Sequence, residues 1–408
     1  MRFGAIVRLF SLKSFLKVFL QSMLALAFSS FGIFSGRIIS NFNNLFVKFS
    51  WVLALYPALM TLRGDIGGVF SGRLSTMLNT GRIYPKFRGN LCDFYSLIRG
   101  IFFTVYIDAS SMGLITFILN FLAGNANIVE LPLYVTASIS TCVLATLIIL
   151  PFSLLIAFTG FKRGLDPDIV VYPMKAILSD VMVAFSYAFI IYMLSNLSSI
   201  SILLLIIIIF IPLTYLFYHF SEDLENMVFK SIIRESSPLV VITSFGGVVN
   251  GIFLSTFSNE LAREPGILII YPVILNSLGG VGSIFGSLTT TKLALGFIRP
   301  RLLSISKMFN EFLGLISSSM LMSIFFSVLG YLFALSTGIK IPFLRLLTIS
   351  FFVGFFGAIL ISILSFMVGI VSFNWGLDPD NIVIPVESSM ADIIGTIIIL
   401  ILNFLILG

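Results

Sequence analysis

Charge is scarce in this chain. Of 408 residues only 10% are charged, where soluble domains carry about a quarter, so a solvated globular surface is excluded. There is one histidine and there are two cysteines. Cys92 is expected in a loop and Cys142 in an apolar span, which gives neither a disulfide framework nor a thiolate metal cluster. The single His219 ends an apolar run and reads as an interfacial residue. Zinc chemistry therefore has almost no ligands to use. What is present instead is apolar: 58% of residues are hydrophobic and the mean hydropathy is +1.11. The composition is that of a polytopic membrane protein.

Two stretches repeat. Gly164-Leu165-Asp166-Pro167-Asp168 leads through Pro173 to Asp180, and Gly376-Leu377-Asp378-Pro379-Asp380 leads through Pro385 to Asp392, with eight identities over seventeen ungapped positions. Tyr56 to Gly81 likewise matches Tyr271 to Gly296, sharing the Tyr-Pro pair, Gly64 with Gly279, Gly67 with Gly282 and Phe70 with Phe285. The offsets, 215 and 212, preserve element order, so the chain is a tandem duplication.

Apolar stretches of about 20 residues, enough to cross a bilayer, fall near 17–37, 46–72, 98–122, 131–159, 170–194, 198–219, 238–258, 266–296, 308–335, 344–373 and 382–407. The expected fold is all-α and polytopic, with about eleven transmembrane helices arranged five, one, five. Residues 1–196 form the first repeat, 197–221 a linker helix and 222–408 the second repeat. An odd-numbered unit repeated directly inserts upside down, and one added crossing restores its orientation. The repeats are then parallel, related by an axis along the membrane normal.

Charge placement sets the orientation. Loops assigned to the cytoplasm hold fifteen basic residues, among them Arg82, Lys86, Arg88, Arg99, Lys230, Arg234, Arg299, Arg301 and Lys307; the other side holds five, namely Arg37, Lys48, Arg263, Lys340 and Arg345. The N-terminus is expected in the cytoplasm and the C-terminus outside a cell membrane. The net charge of +6 is thereby an orientation signal, and no nucleic-acid partner is implied. At the N-terminus Arg2, Arg8, Lys13 and Lys17 alternate with apolar residues, as in a basic amphipathic helix resting on the bilayer rather than a cleaved leader.

The chemistry resides in the acids. A carboxylate at mid-bilayer costs about 2.5–3.5 kcal/mol on insertion scales, so it faces a bundle interior or a wet cavity. Asp180 and Asp392 lie near the middle of their spans, one per repeat, and parallel repeats bring them to related positions around one axis. Such a site suits Mg2+, which binds through one or two carboxylates and keeps several waters. Two oxygen donors without His or Cys point away from copper and zinc. The alternative for each aspartate is a hydrogen bond to a neighbouring helix.

Other polar residues divide similarly. Asp108 lies mid-span, as an ion relay or an interhelical bond. Glu311 opens the ninth span, where it lines an entrance or sits at the interface. Asp168 and Asp380 are placed to cap their helices, while Asp166 and Asp378 add to a cation-attracting vestibule. Lys175 and Glu387 occupy equivalent positions before the key aspartates, near enough to an end to snorkel. Gly64, Gly68 and Gly72, with Gly279, Ser283 and Ser287 in the second repeat, form a small-residue stripe for close helix packing, or for main-chain carbonyls exposed along a pore.

With these residues in view, the chain resembles the MgtE-type magnesium transporters, and in particular their solute-carrier relatives that fuse two such membrane domains. The resemblance rests on the Asp-Pro loop followed by Pro and then Asp in the fifth helix, and on the glycine-rich second helix. It implies that Asp180 and Asp392 bind the ion. It further implies main-chain oxygens one turn earlier, at Ala176 and Ser388, and a polar residue after the second-helix glycine, at Asp65. Family members commonly show Gly-Asn where this chain has Gly64-Asp65 and Gly279-Gly280. The implied function is transport of a divalent cation, with no cofactor, Mg2+ as the transported ion and the lipid bilayer as surroundings. No stretch is long enough for the cytosolic regulatory domains of bacterial members. Fused repeats make a monomer self-sufficient and leave a homodimer open. Two other classes use intramembrane acids. A proton-coupled organic-solute carrier is one; an aspartyl protease built on Asp65 and Asp108 is the other, and the duplicated Asp180 and Asp392 have no place in it.

Overall fold

The computed structural model describes residues 12–41, 50–163, 167–196, 198–256, 265–339, 341–375 and 379–407. In lipid each backbone N–H and C=O must be satisfied within the chain, which leaves apolar segments the helix as their solution. The long helices, in chain order, are α1 (Leu12–Ser40), α2 (Ser50–Asn79), α3 (Cys92–Leu122), α4 (Leu131–Lys162), α5 (Pro167–Ser195), α6 (Ser199–Tyr218), α7 (Met227–Thr256), α8 (Pro265–Ala294), α9 (Phe309–Ser336), α10 (Phe343–Asn374) and α11 (Pro379–Leu407). Among the described residues ten helices are long and apolar enough to cross a membrane; α2 contributes a shorter apolar stretch, Trp51–Leu62.

Local chemistry sets the ends. Ser198 caps α6 by accepting from the Ser201 N–H. Gly81 and Gly296, at φ +71° each, close α2 and α8 in the left-handed conformation that only glycine adopts freely. In α10 a π-helical turn at Val353–Gly357 leaves a carbonyl to be satisfied from outside the helix, and Ser319 Oγ donates to Gly354 O at 3.0 Å.

Several helices outrun the apolar stretches that predict them. α2 continues to Asn79, α3 begins at Cys92 and α7 begins at Met227. Cys92 therefore opens a helix rather than lying in a loop, and Arg99, Lys230 and Arg234 stand on helices. The hydropathy signal stops at a charge, but the helix continues through it: Lys230 and Arg234 stand exposed on α7, while Arg99 is held from within. Arg99 is buried and paired with Asp223, Nε to Oδ2 at 2.6 Å and Nη2 to Oδ1 at 2.7 Å, with Ser96 Oγ donating to Oδ1 at 3.0 Å. Asp223→Asn is expected to cost about 3–5 kcal/mol, since it leaves a guanidinium buried without a counter-ion. Arg99→Met with Asp223→Leu is expected to cost less than either single change, which a double-mutant cycle on thermal midpoints checks.

The helices pack as two compact units, Asn41–Ser258 and Met1–Ser40 with Asn259–Gly408. In the first, α7 lies on α2 and α3, α4 on α3 and α5, and α2 on α5. In the second, α1 lies on α9 and α8, and α8 also packs on α10 and α11. The leading helix of each repeat thus joins the other repeat's second and third helices.

Glycines make both contacts. A Cβ on Gly247 would stand 2.7 Å from Thr61 Cγ2 and 2.9 Å from Ala58 Cα, and one on Gly251 would meet the Ala54 carbonyl, 2.7 Å from its carbon. In the second unit Gly32 meets Val273 N at 3.1 Å, and Gly36 meets the Leu268 carbonyl oxygen at 2.6 Å and the Ile269 carbonyl carbon at 2.7 Å. Gly32 and Gly36 precede Gly247 and Gly251 by 215 residues, as Ala54 and Ala58 precede Ile269 and Val273. Small residues four apart let helix backbones approach closely in lipid, and here the device is duplicated with its partner.

Candidate functional site

Each unit packs the second helix of its repeat on the fifth, and each fifth helix carries one buried aspartate. Asp180 and Asp392 lie thirteen residues into helices of 29 residues, about 20 Å along the axis at 1.5 Å per residue. Both are buried, at 3% and 4% exposure. Beyond Asp180, Tyr187 donates to Val52 O of α2 and stacks on Tyr56 with ring centroids 6.1 Å apart. One turn beyond Asp392, the Thr396 and Tyr271 hydroxyls hydrogen-bond at 2.8 Å, joining α11 to α8. Gly395 allows the approach, since a Cβ there would stand 2.5 Å from Leu275 Cδ2. Ser388, one turn before Asp392, is half-buried.

Asp65, Gly68, Gly72, Lys175 and Ala176 stand on α2 and α5, and their side-chain surroundings lie outside the described residues. Asp166 and Asp378 lie outside them altogether. Gly64 is buried in α2. At Gly279 a Cβ meets nothing within 4 Å among the described residues. The close approaches on α8 are one and three residues on. Gly280 faces Leu26 Cδ2 of α1 at 2.9 Å, and Gly282 faces Ile361 Cγ1 at 2.9 Å.

Gly282 also makes room for a carboxylate. Glu387 is 1% exposed, accepts from Ser365 Oγ at 2.9 Å, and places Oε2 3.1 Å from where a Gly282 Cβ would be. It does not snorkel, because α8 and α10 provide a polar niche inside the bundle. The signal was in the repeat: Gly67 and Ser153 stand where Gly282 and Ser365 do, while Lys175 stands in place of Glu387. Ser153 bonds its own helix at Ile149 O, 2.8 Å.

Asp108 and Glu311 are engaged in helix contacts, while the side-chain surroundings of Asp168 and Asp380 lie outside the described residues. Asp108 is buried and accepts from Ser244 Oγ of α7, the interhelical bond of its two readings. Glu311 is held by Lys292, Nζ to Oε1 at 2.6 Å, joining α8 to α9. His219 Nδ1 lies 3.0 Å from Glu222 Oε2 at the end of α6.

The family model of MgtE, described as a divalent cation transporter, matches residues 56–190 and 271–402, more than half of the chain. The chain belongs to the MgtE family. Each match begins at the Tyr-Pro pair of a second helix, so the leading helices α1 and α7 fall outside the matched segments. Solute carrier family 41 member 3 of Rattus norvegicus is 24% identical over 369 residues, 85% of this chain and 77% of the relative. Its counterpart from Mus musculus is 23% identical over 386 residues, covering 87% and 75%. No solved structure matches. As a member of the MgtE family the chain is a multi-pass divalent cation transporter and not an enzyme.

Proposed function

We propose that the transported ion is Mg2+ and that Asp180 and Asp392 hold it with most of its hydration shell, aided by main-chain oxygen at Ala176 and Ser388 and by Asp65. The observation carrying this reading is duplicated burial: each repeat hides one aspartate at the same position in its fifth helix, where insertion costs about 2.5–3.5 kcal/mol. Among the described residues there is no group of three or more His, Cys, Asp or Glu that would hold a metal ion. A two-carboxylate site must leave most coordination positions to water, which favours Mg2+ over ions that need protein cages. Asp166 and Asp378 would attract cations at the entrance. The repeats 1–196 and 222–408, joined through 197–221, are read as parallel, with the N-terminus in the cytoplasm on the fifteen-to-five excess of basic residues.

Flux into vesicles containing purified protein tests the reading. Asp180→Asn with Asp392→Asn is expected to reduce Mg2+ flux to background. Each single change should raise the half-saturating concentration roughly tenfold or more, about 1.4 kcal/mol. Unaltered flux in the double variant would reject the site. Mn2+ or Co2+ carried in preference to Mg2+ would reject the ion and keep the site.

A further inference from the structure

The connections leaving α2 and α8 are built alike. Gly81 N–H donates to Leu78 O and Ile83 N–H to Met77 O, at 3.2 Å each. At the same places, 215 residues on, Gly296 donates to Leu293 O at 3.0 Å and Ile298 to Lys292 O at 3.3 Å. Ile83 and Ile298 are buried and pin the turn to the helix end. Pro85 and Pro300 follow, and then Lys86 N–H donates to Tyr84 O at 2.8 Å and Arg301 N–H to Arg299 O at 2.7 Å. Each turn ends by presenting a basic residue followed by a bulky apolar one. Phe87 is 46% and Leu302 56% exposed, beside exposed Arg88 and Arg299.

These cations are not spent on carboxylates. Among the described residues Arg82 pairs with Asp93 and Lys292 with Glu311, while Lys86, Arg88, Arg299 and Arg301 are in no ion pair. Both turns follow a 30-residue helix whose first half is apolar; a turn so placed suits headgroup level, where basic side chains meet anionic lipid and apolar ones enter the acyl boundary. Neither loop is needed by the ion-binding aspartates. Orientation alone asks only for positive charge on one side of the membrane; it does not ask for the same turn, the same buried isoleucine and the same basic-apolar order twice. We propose that the two loops are binding sites for anionic phospholipid headgroups, with Lys86, Arg88, Arg299 and Arg301 holding the phosphate and Phe87 and Leu302 seated in the acyl boundary.

The test is lipid retention by the full chain in detergent after exchange into mixed phosphatidylcholine and phosphatidylglycerol, read by mass spectrometry of the intact complex, with thermal midpoints alongside. Wild type is expected to retain phosphatidylglycerol selectively, to melt higher with it, and to lose both effects as salt is raised. Lys86→Gln with Arg88→Gln, and separately Arg299→Gln with Arg301→Gln, should each lower affinity at its loop by about fivefold per residue changed. Their midpoints in phosphatidylcholine alone should match wild type. Leu302→Ser, which keeps every charge, should also weaken retention; Phe87, which also makes an edge contact with Phe158, ring centroids 5.2 Å apart, is left in place. Equal phosphatidylglycerol retention by wild type and the charge variants would overturn the proposal. So would equal stabilisation by inorganic phosphate, which would make the loops free-anion sites. Because the readout is bound lipid rather than flux, its failure is separable from failure of the Mg2+ reading.

Discussion

Gly251→Ala is expected to abolish the monodisperse folded protein in detergent, read by fluorescence-detected size exclusion, and Gly36→Ala to do nearly the same. Few single methyl groups are so costly. The added Cβ at 251 would meet the carbonyl of Ala54, and at 36 the carbonyls of Leu268 and Ile269. These are backbone atoms of a neighbouring helix that cannot rotate aside. Relief requires α7 to move off α2, or α1 off α8, and Gly247 and Gly32, one turn away, hold the same helix pairs in contact, where a Cβ would stand 2.7 Å from Thr61 Cγ2 and 3.1 Å from Val273 N. Lipid tails are as apolar as side chains, so helix association in a bilayer depends on packing rather than on exclusion of water. Overpacking in a soluble core costs typically 1–3 kcal/mol. A clash with rigid backbone, which no rotamer change relieves, should exceed that range and consume much of a total stability of about 5–15 kcal/mol. Gly279→Ala is the internal control. With nothing within 4 Å of its Cβ among the described residues, it should melt at or slightly above the wild-type midpoint, since alanine favours a helix interior by about 0.5–1 kcal/mol. A Gly251→Ala protein with an unchanged midpoint would show that the α2–α7 contact is not the seam described.

Much of this architecture was legible in residue order, for particular reasons. The positions of the long helices follow from apolar runs, because lipid admits no alternative to the helix over such lengths. Their ends were misread at Arg99 and Lys230, since hydropathy registers the charge and not Asp223 or the helix continuing beneath it. The duplicated aspartates were legible because two copies of one sequence are aligned by inspection, and burial in both follows from their midspan positions. Glu387 was not, because a carboxylate eight residues from a helix start looks like an interfacial one until Gly282 and Ser365 are seen to enclose it. The exchange of leading helices was the least accessible feature. Gly32 and Gly36 recur as Gly247 and Gly251, which signals close packing. Both repeats offer an equivalent groove, however, so the motif names the kind of partner without saying which copy supplies it.

That equivalence makes a second large effect predictable. A fragment of residues 1–196 contains α1 to α5 and lacks α7, so its α2–α3 groove has no occupant and its α1 has neither α8 nor α9 to lie on. The missing helix takes with it Val228, Phe229, Ile232, Val240, Val248 and Leu254, all buried in the intact protein, a greater loss of packing than any point substitution causes. No folded monomer of 1–196 is expected. The groove at Ala54 and Ala58 is nevertheless the counterpart of the one at Ile269 and Val273 that α1 occupies, so α1 of a second fragment can enter it, and exchange in both directions closes a dimer. Light scattering on the purified fragment should therefore find dimer or aggregate, and Gly36→Ala within it should remove the dimer. Co-expression with 197–408 should instead recover a one-to-one complex, because α7 fills the groove with its own Gly247 and Gly251. A stable, monodisperse monomer of 1–196 would mean that the repeats fold independently and that the exchanged helices are dispensable to packing.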